Sequence, residues 1–287
     1  MITLYGTFNS ASAFNQDVGG WDTEAVTTLY GTFNSASAFN QDIGGWDTGA
    51  VSTLQSTFGY SYAFNQYIGG WDTSAVTTLY QTFFYTSAFN QDIGGWDTGA
   101  LTTLYNTFRS ASDFNQDISG WDLSGVKSLE SLFNSAPAFN QNIGGWDTSA
   151  VTTSSSTFYD AAAFNQDIGG WDTSVVIILN YTFCYATAFN QTLCWNTVGK
   201  STTGMLFESP GSASPNAAKC ACSAGEFYNG STCQSCPTGQ DSSYGQTEMC
   251  FILPTSSPTS TYLPSAEPSA TPSLVPSVSS VLFSILS

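Results

Sequence analysis

Residues 38–62 read AFNQDIGGWDTGAVSTLQSTFGYSY, and the phrase at its head, FNQDIGGWDT, returns in nearly the same letters from Phe14, Phe64, Phe89, Phe114, Phe139 and Phe164, 25 residues apart each time. Self-similarity at such a period marks a repeat architecture, in which each unit buries its apolar face against its neighbours. The positions that stay apolar from unit to unit are those of Phe39, Ile43, Trp46, Val51, Leu54 and Phe58. The first three are spaced for an extended segment kinked at Gly44 and Gly45. The last three, at i, i+3 and i+7, are spaced for about two turns of helix. The spacing therefore predicts a short strand, a corner and a short helix in every unit. Asp47 and Thr48 stand where side-chain oxygens can cap the exposed amides of a helix start.

Stacking such units in register places identical residues above one another. Asn15, Asn40, Asn65, Asn90, Asn115, Asn140, Asn165 and Asn190 then form one ladder, each with a Gln beside it. Amide side chains have both donors and acceptors, so a ladder of them is expected to bond along its length and to satisfy the backbone at the bend. One column position departs from the pattern: Ser154 stands where Leu129 and Leu179 stand in adjoining units. A softer core is expected there, with a hydroxyl in need of a partner.

Composition narrows the function. The chain has 21 acidic against 4 basic residues, no histidine and a net charge of −17. A polyanion or an anionic membrane surface repels such a chain, which argues against nucleic acid as a partner and against direct membrane binding by the repeats. Without histidine the commonest general base is missing, and no nucleophile with a base beside it can be picked out, so a non-catalytic role is expected. The opening MITLYGTFNSASAFNQ has neither a basic nor an apolar leader region. It aligns in mid-repeat, Leu4 on Leu29 and Phe8 on Phe33, which reads as a truncated start with any signal lost.

The stretch FNQDIGGWDTSAVTTLYQTF resembles the short-repeat bacterial surface-protein family with BspA-like leucine-rich repeats, whose units read MF, small residues, then FN-x-x-I-x-x-W-D-x-S-x-V-x-x-M. Phe39, Asn40, Ile43, Trp46, Asp47, Val51, Leu54 and Phe58 fall on its positions, and the match runs over residues 1 to about 207. The resemblance implies an α/β, leucine-rich-repeat-like solenoid on a secreted or cell-surface protein engaged in adhesion or host interaction.

The expected organisation is a solenoid of about eight units with a C-terminal cap at 1–207, a linker at 208–219, a cysteine-rich module at 220–250 and a disordered Ser/Thr/Pro-rich stalk at 251–287. Cys184 and Cys194, in the last unit, suggest a disulfide-braced cap. Cys220, Cys222, Cys233, Cys236 and Cys250 follow in a stretch that resembles small EGF-like, ephrin-receptor-type modules, with C-x-x-C-P-x-G as its most telling piece. Zinc is the other reading of Cys233 and Cys236, but no histidine completes the set. Seven cysteines leave one unpaired, and the pairing is open. Asn180, Asn190 and Asn229 begin glycosylation sequons.

Three binding readings arise from the columns. Regular surfaces suit extracellular protein or glycan ligands, with Tyr30, Tyr80 and Tyr105 as expected exposed aromatic contacts and a structural wall or matrix component without a discrete ligand as the alternative. Asp22, Asp47, Asp72, Asp97, Asp122, Asp147 and Asp172 form one carboxylate column, and Asp17, Asp42, Asp92, Asp117 and Asp167 another. Calcium bridging would relieve their repulsion, although corner capping accounts for the first column, and Tyr67 and Asn142 interrupt the second. No other cofactor is expected. Stacked Thr27 and Thr28, Thr77 and Thr78, and Thr102 and Thr103 raise ice binding, against which stand their place in the expected helix and the breaks at Ser52 and Lys127.

Overall fold

The computed structural model describes residues 2–213, together with the backbone of four short strands farther on, at 226–228, 233–235, 240–241 and 251–252. Each 25-residue unit is one coil, and each coil hydrogen-bonds to the next through parallel backbone. In the coil around Phe108, the amides of Leu104, Asn106, Phe108 and Ser110 donate to the carbonyls of Ser128, Glu130, Leu132 and Asn134, at 3.1, 3.1, 3.0 and 2.8 Å. Isolated parallel bridges run through the same stretch of successive coils, pairing Thr103 with Ser128, Ser128 with Thr153, Thr153 with Ile178 and Ile178 with Ser201.

The expected helix does not form: no residue among those described is helical. The stretch 51–58 and its equivalents instead begin without turn or helix, over 51–54, and continue as successive turns over 55–60. Between the inter-coil bonds, Thr107 N–H donates to the Leu104 carbonyl at 3.2 Å and Ala111 N–H to that of Phe108 at 3.1 Å. The third residues of these turns, Asn106 and Ser110, have φ of 55° and 58°, the left-handed conformation that a type II turn requires and a right-handed helix excludes. Gly31 and Ser35, at φ 59° and 60°, occupy the same places in an earlier coil. Two such turns bring Leu104 and Phe108 inward, and the corner before them does the same for Leu101, so all three are buried as on one helix face, which is why the apolar spacing misled. The strand expected over 39–46 is also not one. There, side chains make the inter-coil links.

Those links are the asparagine ladder. Asn115 Oδ1 accepts the backbone N–H of Asn140 at 2.9 Å and Nε2 of Gln141 at 2.9 Å. The same bonds recur from Asn15 to Asn40, from Asn40 to Asn65 and onward to Asn190. The first glycine of the Gly-Gly pair permits this close approach: a Cβ at Gly44 would lie 2.7 Å from the Tyr67 carbonyl oxygen.

The core is a set of aromatic columns. Within a coil Phe58 and Phe64 stack at 3.9 Å, and from coil to coil Phe58 and Phe83 stack at 5.8 Å and Trp71 and Trp96 at 6.5 Å. Trp121 Nε1 donates to the Ile93 carbonyl of the preceding coil at 3.1 Å, so a buried indole N–H is satisfied. Thr107 Oγ1 lies within hydrogen-bond reach of a carbonyl of the preceding coil and of one of its own, those of Leu79 and Leu104, between which its one proton is shared. Ser154 leaves a void on the scale of one water molecule, bounded by Leu129, Val151, Trp171 and Leu179. Its hydroxyl finds a partner in Thr157 Oγ1 at 2.8 Å.

At the far end, Lys200 Nζ donates to the carbonyls of Thr173 and Val176, both at 2.6 Å. The stack extends past 207 into the stretch expected as a linker. Strand β1 (Thr192–Leu193) pairs in parallel with β2 (Ser212–Ala213), and Ala213 packs against the core. Farther on, β3 (Glu226–Tyr228) pairs antiparallel with β4 (Cys233–Ser235), and β5 (Gln240–Asp241) with β6 (Phe251–Ile252). The rest of the cysteine-rich stretch and the Ser/Thr/Pro-rich stalk lie outside the described residues.

Candidate functional site

The carboxylate columns serve the backbone first. Asp22, Asp47, Asp72, Asp97, Asp122, Asp147 and Asp172 are all exposed, and each accepts through Oδ1 the amide two residues on, at 2.7–3.3 Å. The corner thus carries the side-chain bond expected of Asp47, closing a turn in place of a helix cap. Asp17, Asp42, Asp92, Asp117 and Asp167 do the same, and Asn142 takes the role where aspartate is missing. Bonds from Ser74 hold the Asp72 carboxyl below the usual carboxylate range, the hydroxyl first and then the amide. Asp147 is lowered likewise by Ser149. Asp117, Asp122 and Asp172 are lowered mainly by the amides of Ser119, Ser124 and Ser174, while the Asp147 charge pushes Asp122 and Asp172 the other way. The carboxylates stand in single file, and among the described residues no group of three or more His, Cys, Asp or Glu is placed to hold a metal ion.

The exposed aromatic surface differs from the one expected. Tyr30, Tyr80 and Tyr105 are half-buried. Tyr80 stacks on Tyr105 at 5.1 Å, and its hydroxyl pKa is raised by burial and then by its tyrosine neighbours. Neighbouring rings cover one another's faces, so these tyrosines offer less contact area than the sequence suggested. Among the rings that do reach solvent, Tyr60, Tyr62 and Tyr85 form one cluster, packed against partly buried Phe84. Elsewhere their columns mostly hold serine, and that local break in composition was the signal available in the sequence. Arg109 lies next to this cluster, its guanidinium carbon 5.8 Å from the Phe84 ring centroid. Lys127 is exposed among the threonines. Those threonines are in the bridged stretch and not in a helix, and the hydroxyls of Thr77 and Thr102 donate to carbonyls of the preceding coil at 3.2 Å.

Cys184 is a free thiol, 3% exposed. The brace expected at this residue is therefore not formed, and burial, followed by Asp160 and Glu208, pushes the thiol pKa up. Cys194 is disulfide-bonded. Cys233 lies in β4, and Cys220, Cys222, Cys236 and Cys250 lie outside the described residues. Of the sequon asparagines, Asn180 is engaged, its Oδ1 accepting from Ser201 Oγ at 2.7 Å and from the Thr203 amide at 2.9 Å. Asn190 is exposed at the end of the ladder, and Asn229 is outside the described residues. No helix among the described residues is long and apolar enough to cross a membrane.

No curated protein and no solved structure matches the chain. A family model described as Mycoplasma protein of unknown function, DUF285, matches residues 2–121 and again 102–218. These matches take in well over half of the sequence, and the chain belongs to that family.

Proposed function

We propose that this protein acts outside the cell or on its surface as a non-catalytic recognition module for protein or glycan ligands, built as a leucine-rich-repeat-like solenoid of the BspA type. The observation that carries the reading is the cluster of solvent-reaching rings, Tyr60, Tyr62 and Tyr85, set on a regular hydrogen-bonded stack. Aromatic side chains supply contact area at low entropic cost, and a regular stack holds them without reorganisation. The EGF-like reading of residues 220–250, sequon use at Asn229 and a Ser/Thr/Pro-rich stalk fit the same extracellular setting, and the disulfide at Cys194 suits an oxidising compartment.

The test is secretion of the full chain through an oxidising route and its application to panels of glycans and extracellular-matrix proteins, with calcium and with chelator. Selective, saturable binding supports recognition. Absence of binding by protein whose near-ultraviolet circular dichroism shows packed tryptophans would instead favour a structural wall or matrix component. A requirement for calcium in either binding or melting temperature would reinstate the carboxylate columns as metal sites.

A further inference from the structure

We propose that the outer face of Tyr85, bordered by Ser110 and Arg109, is a subsite for one ring of an acidic sugar such as a uronate; this rests on the recognition reading above. Tyr60 and Tyr85 occupy the same register position in adjacent coils and stack at 5.2 Å with their planes 14° apart. The next coil continues the column with Ser110 and the one after with Ser135. The ring stack therefore stops at Tyr85, and a short side chain follows where another ring would lie. Tyr85 remains 36% exposed. Phe84 packs edge-on against it at 4.7 Å and fixes the ring plane.

Arg109 gives this end of the two-ring stack a chemical identity that the other end, over Ser35, does not have. It is the only arginine in a chain of net charge −17. Its guanidinium lies over Phe84, and its Nε is buried with no hydrogen-bond partner. Contact with the ring limits where the guanidinium can go, and with Nε buried its two terminal NH2 groups are left to donate to one carboxylate. A pyranose presents an apolar C–H face to an aromatic ring, and a uronate carries its carboxylate on the edge of the same ring. One such residue can cover Tyr85 while its carboxylate meets Arg109.

Full-length protein is titrated by calorimetry with a polygalacturonate hexasaccharide, with neutral cellohexaose and with a hexaglutamate peptide. The uronate is expected to bind at least about tenfold more tightly than either comparison ligand, the order expected from one added charge-assisted hydrogen-bonded contact. Tyr85→Ser, which installs the residue found at Ser110, should weaken the uronate at least fivefold. Arg109→Gln should bring it down to the level of cellohexaose, and circular dichroism should be unchanged in both variants. Uronate binding equal in wild type and both folded variants would overturn the site, as would no uronate binding by folded wild type. Equal binding of hexaglutamate would overturn the sugar assignment. If the wild type and the double variant bind the same matrix or glycan ligand equally, this subsite fails while the recognition reading stands. If the folded wild type binds nothing on the panels, that reading fails as well.

Discussion

The side-chain oxygen of Asn115 accepts the backbone N–H of Asn140 at 2.9 Å, one coil farther along the stack. The side chain here does what a strand ladder does elsewhere. Because Asn115 Oδ1 also accepts Gln141 Nε2, Asn115→Ala leaves two part-buried donors without that acceptor. The expected loss is about 2 kcal/mol in urea unfolding. Asn115→Asp keeps an acceptor oxygen in place and should lose clearly less at pH 7.

Ser154 interrupts a column otherwise filled by leucine and borders the small void beside Val151 and Trp171. Ser154→Leu should raise stability by about 2 kcal/mol, the scale of burying one leucine side chain. The Thr157 hydroxyl proton keeps the carbonyls of Leu129 and residue 154 as acceptors within reach, so the lost hydroxyl pair leaves no orphan donor. A drop in the urea midpoint would show that the neighbouring rings do not leave room for the side chain.

Left-handed residues recur twice in most coils, and only some are glycine. Gln81 has φ of 55° where Gly31, two coils earlier, has 59°. An L side chain pays about 1–2 kcal/mol in that conformation, offset in part by the chain entropy that glycine adds to the unfolded state. Gln81→Gly is expected to raise the thermal midpoint, and Gly31→Val to lower it. If both changes are neutral, the turns are not the ones described.

Much of the architecture was legible because the aromatic residues recur with the unit. Phe58, Phe64 and Trp71 had to be core, and the ladder through Asn65 followed from register alone. The helix was misread because Val51, Leu54 and Phe58 satisfy a helical spacing that a corner followed by two four-residue turns satisfies equally well. The corrective signal was present at the turn positions, where Gly6, Gly31, Ser56, Asn106 and Ser131 are residues that favour turns over helix interiors. The exposed rings at Tyr60 and Tyr85 were hidden for a different reason. They depart from the repeat, and a pattern built from what recurs does not show them.

Acid should weaken the stack in a defined window. The carboxyls of Asp72, Asp117, Asp122, Asp147 and Asp172 are lowered from 3.8 by hydrogen bonds to serine. A group with a depressed folded-state pKa contributes its stability above the unfolded value and loses it as pH falls through the folded one. The melting temperature should therefore change little on this account down to about pH 5, and fall below about pH 4 as these bonds lose their charge. Asp147→Asn, which installs the amide that Asn142 already provides in the other column, should reduce the acid slope.

Amide hydrogen exchange read residue by residue tests the helix-free parallel stack most directly. The account predicts protection at Leu104, Asn106, Phe108 and Ser110, whose amides bond to the following coil. It also predicts protection at Asn140, whose amide bonds to a side chain one coil, 25 residues, away, and its loss at Asn140 in Asn115→Ala. Continuous helical protection across 101–108, with helical minima in far-ultraviolet circular dichroism and an Asn140 amide indifferent to residue 115, would contradict it.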